Sequence, residues 1–198
     1  MPAFIDIVRS RRSIRRFLPR PVEREKITAC LEAARLAPSS HNSQPWRFLV
    51  VDEPGLKETL CREAFTGIYK MSRFAAQATL IIVVMAAMDV LTHRLGRRLQ
   101  GVSFHLIDIG IAGEHLVLQA EELGLATCWM GWFNNRRVRR VLKPPRKFKV
   151  VALLPVGYAA SRPPRETMRK PLAEIAWWNG FGRADEDGRC GNDGTLEK

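Results

Sequence analysis

The segment "APSSHNSQPWRF", residues 37–48, joins a helical pattern to a strand pattern, and its reading decides the fold. From Glu23 to Leu36 the apolar residues Ile27, Cys30, Leu31 and Ala34 recur at i, i+3, i+4 and i+7, which is one face of an amphipathic helix. Pro38 ends that helix. Beyond Pro45 and Trp46, "RFLVVD" at 47–52 has the pattern of a strand. Between the two lie Ser39, Ser40, His41, Asn42, Ser43 and Gln44, a row of polar side chains whose backbone is restrained by a proline at either end. A loop of this composition is built to hold something.

Outward from that loop the chain alternates. Phe4, Ile5, Ile7 and Val8 suggest a short opening helix, and Pro19 and Pro21 break the chain after a run of arginines. Pro54-Gly55 is expected to be a turn, with a helix over Leu56–Phe65. Residues 79–86 and 148–156 are near-continuous aliphatic runs, the signature of strands covered on both faces. The longest helix is expected over 103–123, closed by Gly124. It is apolar on nearly every side, so it belongs in a core or a subunit interface. Gly110 and Gly113 within it cost about 1 kcal/mol each relative to alanine, which signals close backbone packing. "ATCWM" at 126–130 is a further strand, and Asn134 or Asn135 is placed to cap a helix that ends before Pro144. The pattern predicts an α+β protein, a three-layer α/β/α sandwich with helices on both faces of a central sheet. One domain is expected over 1–182, followed by a polar tail, 183–198, too poor in apolar residues to fold.

Composition narrows the function. A chain of 198 residues with 46% hydrophobic and 26% charged residues has the make-up of a soluble globular protein. The longest apolar run, "ATLIIVVMAAM" at 78–88, is shorter than the roughly 18–20 residues that span a bilayer. The N-terminus lacks a signal core, so a cytoplasmic location is expected. Cys30, Cys61, Cys128 and Cys190 form no C-x-x-C pair, which argues against a zinc, iron–sulfur or thioredoxin-like site, and no metal is expected. A net charge of +12, concentrated in "RSRRSIRRFLPR" at 9–20 and "NRRVRRVLKPPRKFK" at 135–149, admits nucleic acid, a membrane surface or anionic small molecules as partners.

Four segments carry candidate chemistry. In "RRSIR", Arg11–Arg15, clustered guanidinium forks and a hydroxyl suit a phosphate dianion. The polar loop is the second. In "CWMGWF" at 128–133, Gly131 lets the backbone approach a ligand plane. "MRKPL" at 168–172 adds another arginine. No G-x-G-x-x-G follows a strand, so a Rossmann dinucleotide site is excluded.

Taken in order, "RRSIRRF", "APSSHNSQPWRF", "LQAEELGLATCWMGWF", "LLPVGY" and "RKPL" resemble the landmarks of the flavin-dependent nitroreductase family over residues 4 to about 175. The resemblance implies a central mixed sheet and an intertwined homodimer with FMN in each of two clefts at the subunit interface. Arg11, Ser13 and Arg15, the backbone of Arg12, and Arg169 would hold the phosphate and ribityl end. Pro38, Ser39, Ser40 and Asn42 would reach the flavin from the partner chain, and the backbone N–H groups of Gly131 and Trp132 would face its N5 edge. NADH or NADPH would bind transiently, passing a hydride through FMN to a nitroaromatic, quinone or similar acceptor in ping-pong order. No catalytic side chain is needed, and His41, His93, His105 and His115 are assigned none. The connection from Met88 to Ser103 is too short for the helical excursion that covers the cleft in larger relatives, which leaves the acceptor open, dehalogenation included. A nucleic-acid-binding protein is the rival from another class; it explains the charge but gives the polar loop and the long apolar helix no purpose.

Overall fold

Strand β2 (Leu80–Ala87) is the axis of the computed structural model, which describes residues 3–87, 102–162 and 167–182. Its residues are buried in strict alternation against two separate cores. Ile81, Val83 and Met85 face one, and Leu80, Ile82, Val84 and Ala86 face the other. That double burial explains why the sequence run is aliphatic without a polar period.

The remaining elements of the first compact unit, residues 1–162, pack around this axis. They are α1 (Phe4–Ser10), α2 (Arg24–Arg35), β1 (Trp46–Val51), α3 (Pro54–Ala64), α4 (Phe104–Glu122), β3 (Ala126–Thr127), α5 (Asn135–Leu142) and β4 (Phe148–Gly157). The strand order is β1-β2-β4-β3. Helices α2 and α4 supply the core on one face; α3 and α5, with a 3₁₀ stretch over Gly67–Gln77, cover the other. The three layers follow.

Three expectations need correcting. The sheet is not mixed in its ladders: β1–β2, β2–β4 and β3–β4 are all antiparallel, and the one parallel pairing among the described residues is an isolated bridge, Ser13 to Thr127. Pro54 and Gly55 are not a turn but the first helical residues of α3, because the Glu53 carboxylate accepts from the N–H groups of Gly55 and Leu56 and proline has no N–H to satisfy at that position. The strand expected over 126–130 ends after two residues and resumes only as a Met130–Leu153 bridge. The 3₁₀ stretch, with Ile68, Met71 and Phe74 recurring every three residues, escaped the sequence reading. The connection 88–101, and Cys190 with the tail 183–198, lie outside the described residues.

The glycines of α4 differ. A Cβ on Gly113 would sit 2.2 Å from Cη2 of Trp129, so this glycine exists to admit the indole. Gly113→Ala is expected to destabilise the protein by about 1–3 kcal/mol. The denaturant midpoint checks this, and combining it with Trp129→Ala should give a cost well short of the two added together. Gly110, by contrast, meets nothing within 4 Å.

A polar clasp ties the start of α2 to the end of β4. The Tyr158 hydroxyl donates to Glu23 Oε2 at 2.6 Å and accepts from Lys26 Nζ at 2.9 Å, while Arg20 stacks 4.0 Å above the Tyr158 ring. The Tyr158 bond holds the Glu23 carboxyl below its ordinary 4.5, and the same hydroxyl raises Lys26 above its ordinary 10.5. The Glu23 contribution is therefore present above pH 4.5 and lost as pH falls further; the Lys26 contribution is present below 10.5 and lost above it. Tyr158→Phe should lower the urea midpoint at neutral pH, with the gap from the parent narrowing on acidification.

The second unit, residues 163–198, is described over 167–182. It holds a 3₁₀ turn, Leu172–Glu174, and a tilted Trp177–Phe181 ring pair with centroids 4.3 Å apart. Met168 and Phe181 expose nine-tenths of their surface.

Candidate functional site

The arginine segment is an extra strand-like edge. Ile14 donates its N–H to the Thr127 carbonyl at 2.9 Å, and Ala160 donates to the Arg16 carbonyl at 2.9 Å. Ile14 and Phe17 are buried in the core, which turns Ser13, Arg15 and Arg16 outward. Arg11 reaches α4, its Nε 3.7 Å from Glu114, and Arg15 lies 6.0 Å from the centroid of Phe74. The side chain of Arg12 folds back onto the Arg9 and Arg11 carbonyls, leaving only its backbone toward a ligand. Arg11, Ser13 and Arg15 also surround Cys128: burial pushes that thiol up against the downward pull of all three. Burial alone takes Cys30 up to about 12 and Cys61 to about 11, so both are inert core thiols.

The "CWMGWF" turn adjoins this edge. Gly131 is exposed with open space where a Cβ would stand, so a flat ligand can approach its backbone. Trp132 is held by the 3₁₀ stretch: its Nε1 donates to the Ile68 carbonyl at 3.3 Å, its carbonyl accepts from Ser72 Oγ at 3.3 Å, and its ring tilts against Tyr69 with centroids 5.1 Å apart. These partners were not read from the sequence: Ile68, Met71 and Phe74 recur every three residues, a 3₁₀ spacing that went unread.

The polar loop is locally constrained. Ser39 Oγ accepts from the Gln44 N–H at 2.9 Å, and His41, Asn42 and Gln44 all have positive φ, between 45° and 53°. The loop is anchored by Asp108, a buried acid on α4 whose Oδ1 accepts from the Ser40 N–H at 3.1 Å. A lone aspartate on an apolar helix is the signal that could have identified this anchor. Pro38 and Asn42 are exposed, and Ser39 and Ser40 are half-buried. Among the described residues His41 Nδ1 hydrogen-bonds the neighbouring Ser40 hydroxyl, at 3.1 Å.

The loop and the arginine edge do not meet within one chain. The loop feeds the first residue of β1, at one border of the sheet, while Ser13 pairs with β3 at the other. Four strand intervals separate them, roughly 19 Å. Their registers differ as well: Trp46 aligns through Ala86 with Lys149, and Ser13 aligns through Thr127 with Val156. Arg169 belongs to the second unit, where it is exposed and its Nη1 donates to the Met168 carbonyl at 3.2 Å.

Large apolar surfaces lie beside both half-sites. No residue of α1 is buried, although it carries Phe4, Ile5 and Val8, and Leu106 and Ile107 of α4 are 45% and 49% exposed. Contiguous exposed apolar surface of this kind marks an association site. Among the described residues there is no group of three His, Cys, Asp or Glu side chains able to hold a metal ion, and no helix is long and apolar enough to cross a membrane.

Comparison with known proteins gives one coherent result. The model of the nitroreductase family matches residues 8–158. An NADH dehydrogenase of Thermus thermophilus is 31% identical, covering 85% of this chain and 92% of its own length. An FMN-dependent nitroreductase of Clostridium difficile R20291 superposes with a TM-score of 0.71 at 28% identity, over 89% of this chain and 99% of that one. An FMN complex from Exiguobacterium sibiricum 255-15 superposes at 0.74 with 28% identity, over 90% and 98% of the two chains.

Proposed function

This chain belongs to the nitroreductase family, and from that premise we infer that it is an FMN-dependent NAD(P)H oxidoreductase acting as a homodimer, with each site assembled from two subunits. The observation that carries the reading is the separation of two complementary half-sites to opposite borders of one sheet, each beside uncovered apolar surface. A second copy supplies what each lacks.

The donor set fits the cofactor. Arg11, Ser13 and Arg15 lie close enough to one another that all three act on the Cys128 thiol, and in this reading they offer cations and a hydroxyl to the phosphate and ribityl chain. The Arg12 backbone joins them in this reading. Glu114 keeps the Arg11 guanidinium oriented, at 3.7 Å. The open face above Gly131, with the N–H groups of Gly131 and Trp132, admits the reactive edge of the rings, and the partner's Pro38, Ser39, Ser40 and Asn42 brace them. FMN, when bound, supplies the two-electron relay between a nicotinamide donor and an electron-poor aromatic acceptor, in ping-pong order. The protein positions both ligands and places no nucleophile of its own. Trp132 and Tyr69 give the cleft an aromatic wall suited to flat acceptors.

Purified protein should be yellow, release FMN on heating, and give parallel initial-rate lines when NAD(P)H and a quinone are varied together. Colourless protein that gains no flavin on incubation with FMN, or intersecting lines, would refute this reading. The cytoplasm, where reduced nicotinamide is supplied, is the matching compartment.

A further inference from the structure

We propose that the outward face of α5 selects NADPH over NADH by binding the phosphate that distinguishes them; the inference rests on the FMN reading above. Helix α5 leaves directly from the Gly131-Trp132 turn, its first residue following the Asn134 cap, whose side chain accepts from the Arg137 N–H at 3.1 Å. Its cations divide into two sets. Arg137 is tied to Glu63 at 3.1 Å, and Arg139 donates to the Phe148 carbonyl at 2.6 Å, so both are spent on holding the helix to α3 and β4. Arg136 and Arg140, spaced i and i+4 on the helix, and Lys143 at its left-handed C-cap remain, all exposed. None of them makes an ion pair with a described residue. The two arginines form one stripe that climbs away from the turn over about 6 Å. Val138, on the inward side, is fully buried and fixes which face the stripe presents.

A nicotinamide stacked on a flavin beside Gly131 must let its adenosine end leave the cleft across neighbouring surface. The stripe begins four residues beyond Trp132, and Arg146, Lys147 and Lys149 extend its charge. Both donors carry a pyrophosphate, but only NADPH carries a phosphomonoester, which is mostly dianionic at neutral pH and is the group an arginine fork holds best. A field of this sign also concentrates the more highly charged donor near the cleft. The α5 face has no exposed apolar residue to insert into a bilayer, which sets a membrane aside.

Calorimetry on FMN-loaded protein with 2′,5′-ADP and 5′-AMP tests the proposal apart from turnover. The 2′-phosphate should tighten binding by about tenfold or more, with the advantage shrinking as salt is raised. Arg136→Glu/Arg140→Glu should erase that advantage and lower the NADPH-to-NADH ratio of kcat/KM by roughly tenfold. The neutral pair Arg136→Gln/Arg140→Gln should move both in the same direction by less. Equal affinity for the two nucleotides, or a ratio unmoved in a variant that keeps its flavin absorbance, overturns the proposal. So does a duplex oligonucleotide that binds through these arginines while 2′,5′-ADP does not, which would assign the face to nucleic acid. Flavin content is read separately in every sample, so protein that takes up no FMN fails the underlying reading, and this inference with it, by a distinguishable signal.

Discussion

Replacing Arg11 and Arg15 together by alanine is expected to leave a folded protein that loses FMN during purification. Both side chains stand outside the core, on a segment whose place is secured by Ile14, Phe17 and backbone bonds to Thr127 and Arg16, so the fold does not depend on the guanidinium groups. Each charge-assisted bond to a phosphate is worth about 1.5–3 kcal/mol, and losing two should weaken FMN binding by roughly a hundredfold or more. Removing Arg11 also releases Glu114 from its ion pair, leaving a carboxylate near the site where the phosphate is expected. That repulsion adds to the loss, so Arg11→Ala alone should cost more than Arg15→Ala alone. Flavin fluorescence titration measures all three variants, and far-ultraviolet circular dichroism confirms that they fold.

In the homodimer proposed above, Ile107→Glu is expected to favour monomers and remove FMN in the same step. Ile107 lies half exposed on α4, one turn from Gly110, whose bare backbone has open space around it in a single chain. A glycine in mid-helix weakens that helix, and here no neighbour among the described residues requires it, which points to a second chain passing close by. In a two-fold dimer the substitution places two carboxylates in the interface, and burying a charge there without a partner is costly enough to raise the dimer dissociation constant by at least about a hundredfold. Gly110→Leu should act in the same direction through bulk. Sedimentation velocity reads the state of assembly. A monomer that still retains FMN at full affinity would break the link between assembly and site.

The layers were legible in the sequence because each rests on a local signal. The aliphatic runs of β2 and β4 marked doubly covered strands, and Pro38 ended α2 where expected; the extended edge formed by Ser13 and Ile14 against Thr127 was not read, because its pairing is visible only in the fold. What escaped depends on contacts between distant segments. The grip of Ile68 and Ser72 on Trp132, the anchor from Asp108 to Ser40 and the pairing of Arg11 with Glu114 each join residues tens of positions apart. Proline at the start of α3 was misread as a turn because its helical use is visible only with the Glu53 cap beside it. The two glycines of α4 gave the same local signal for different causes: one admits Trp129, and the other is open in the single chain.

The most direct test of a site shared between subunits is complementation in mixed dimers. One parent carries Arg11→Ala/Arg15→Ala; the other carries Asn42→Pro, which cannot adopt the positive φ that the loop requires there. Each homodimer should bind FMN poorly. After dissociation and reassociation of equal amounts, the isolated heterodimer should bind one FMN at close to the affinity of the unsubstituted protein, because one of its two clefts combines an intact arginine edge with an intact loop. A heterodimer that binds no better than its parents would contradict a site built from two chains.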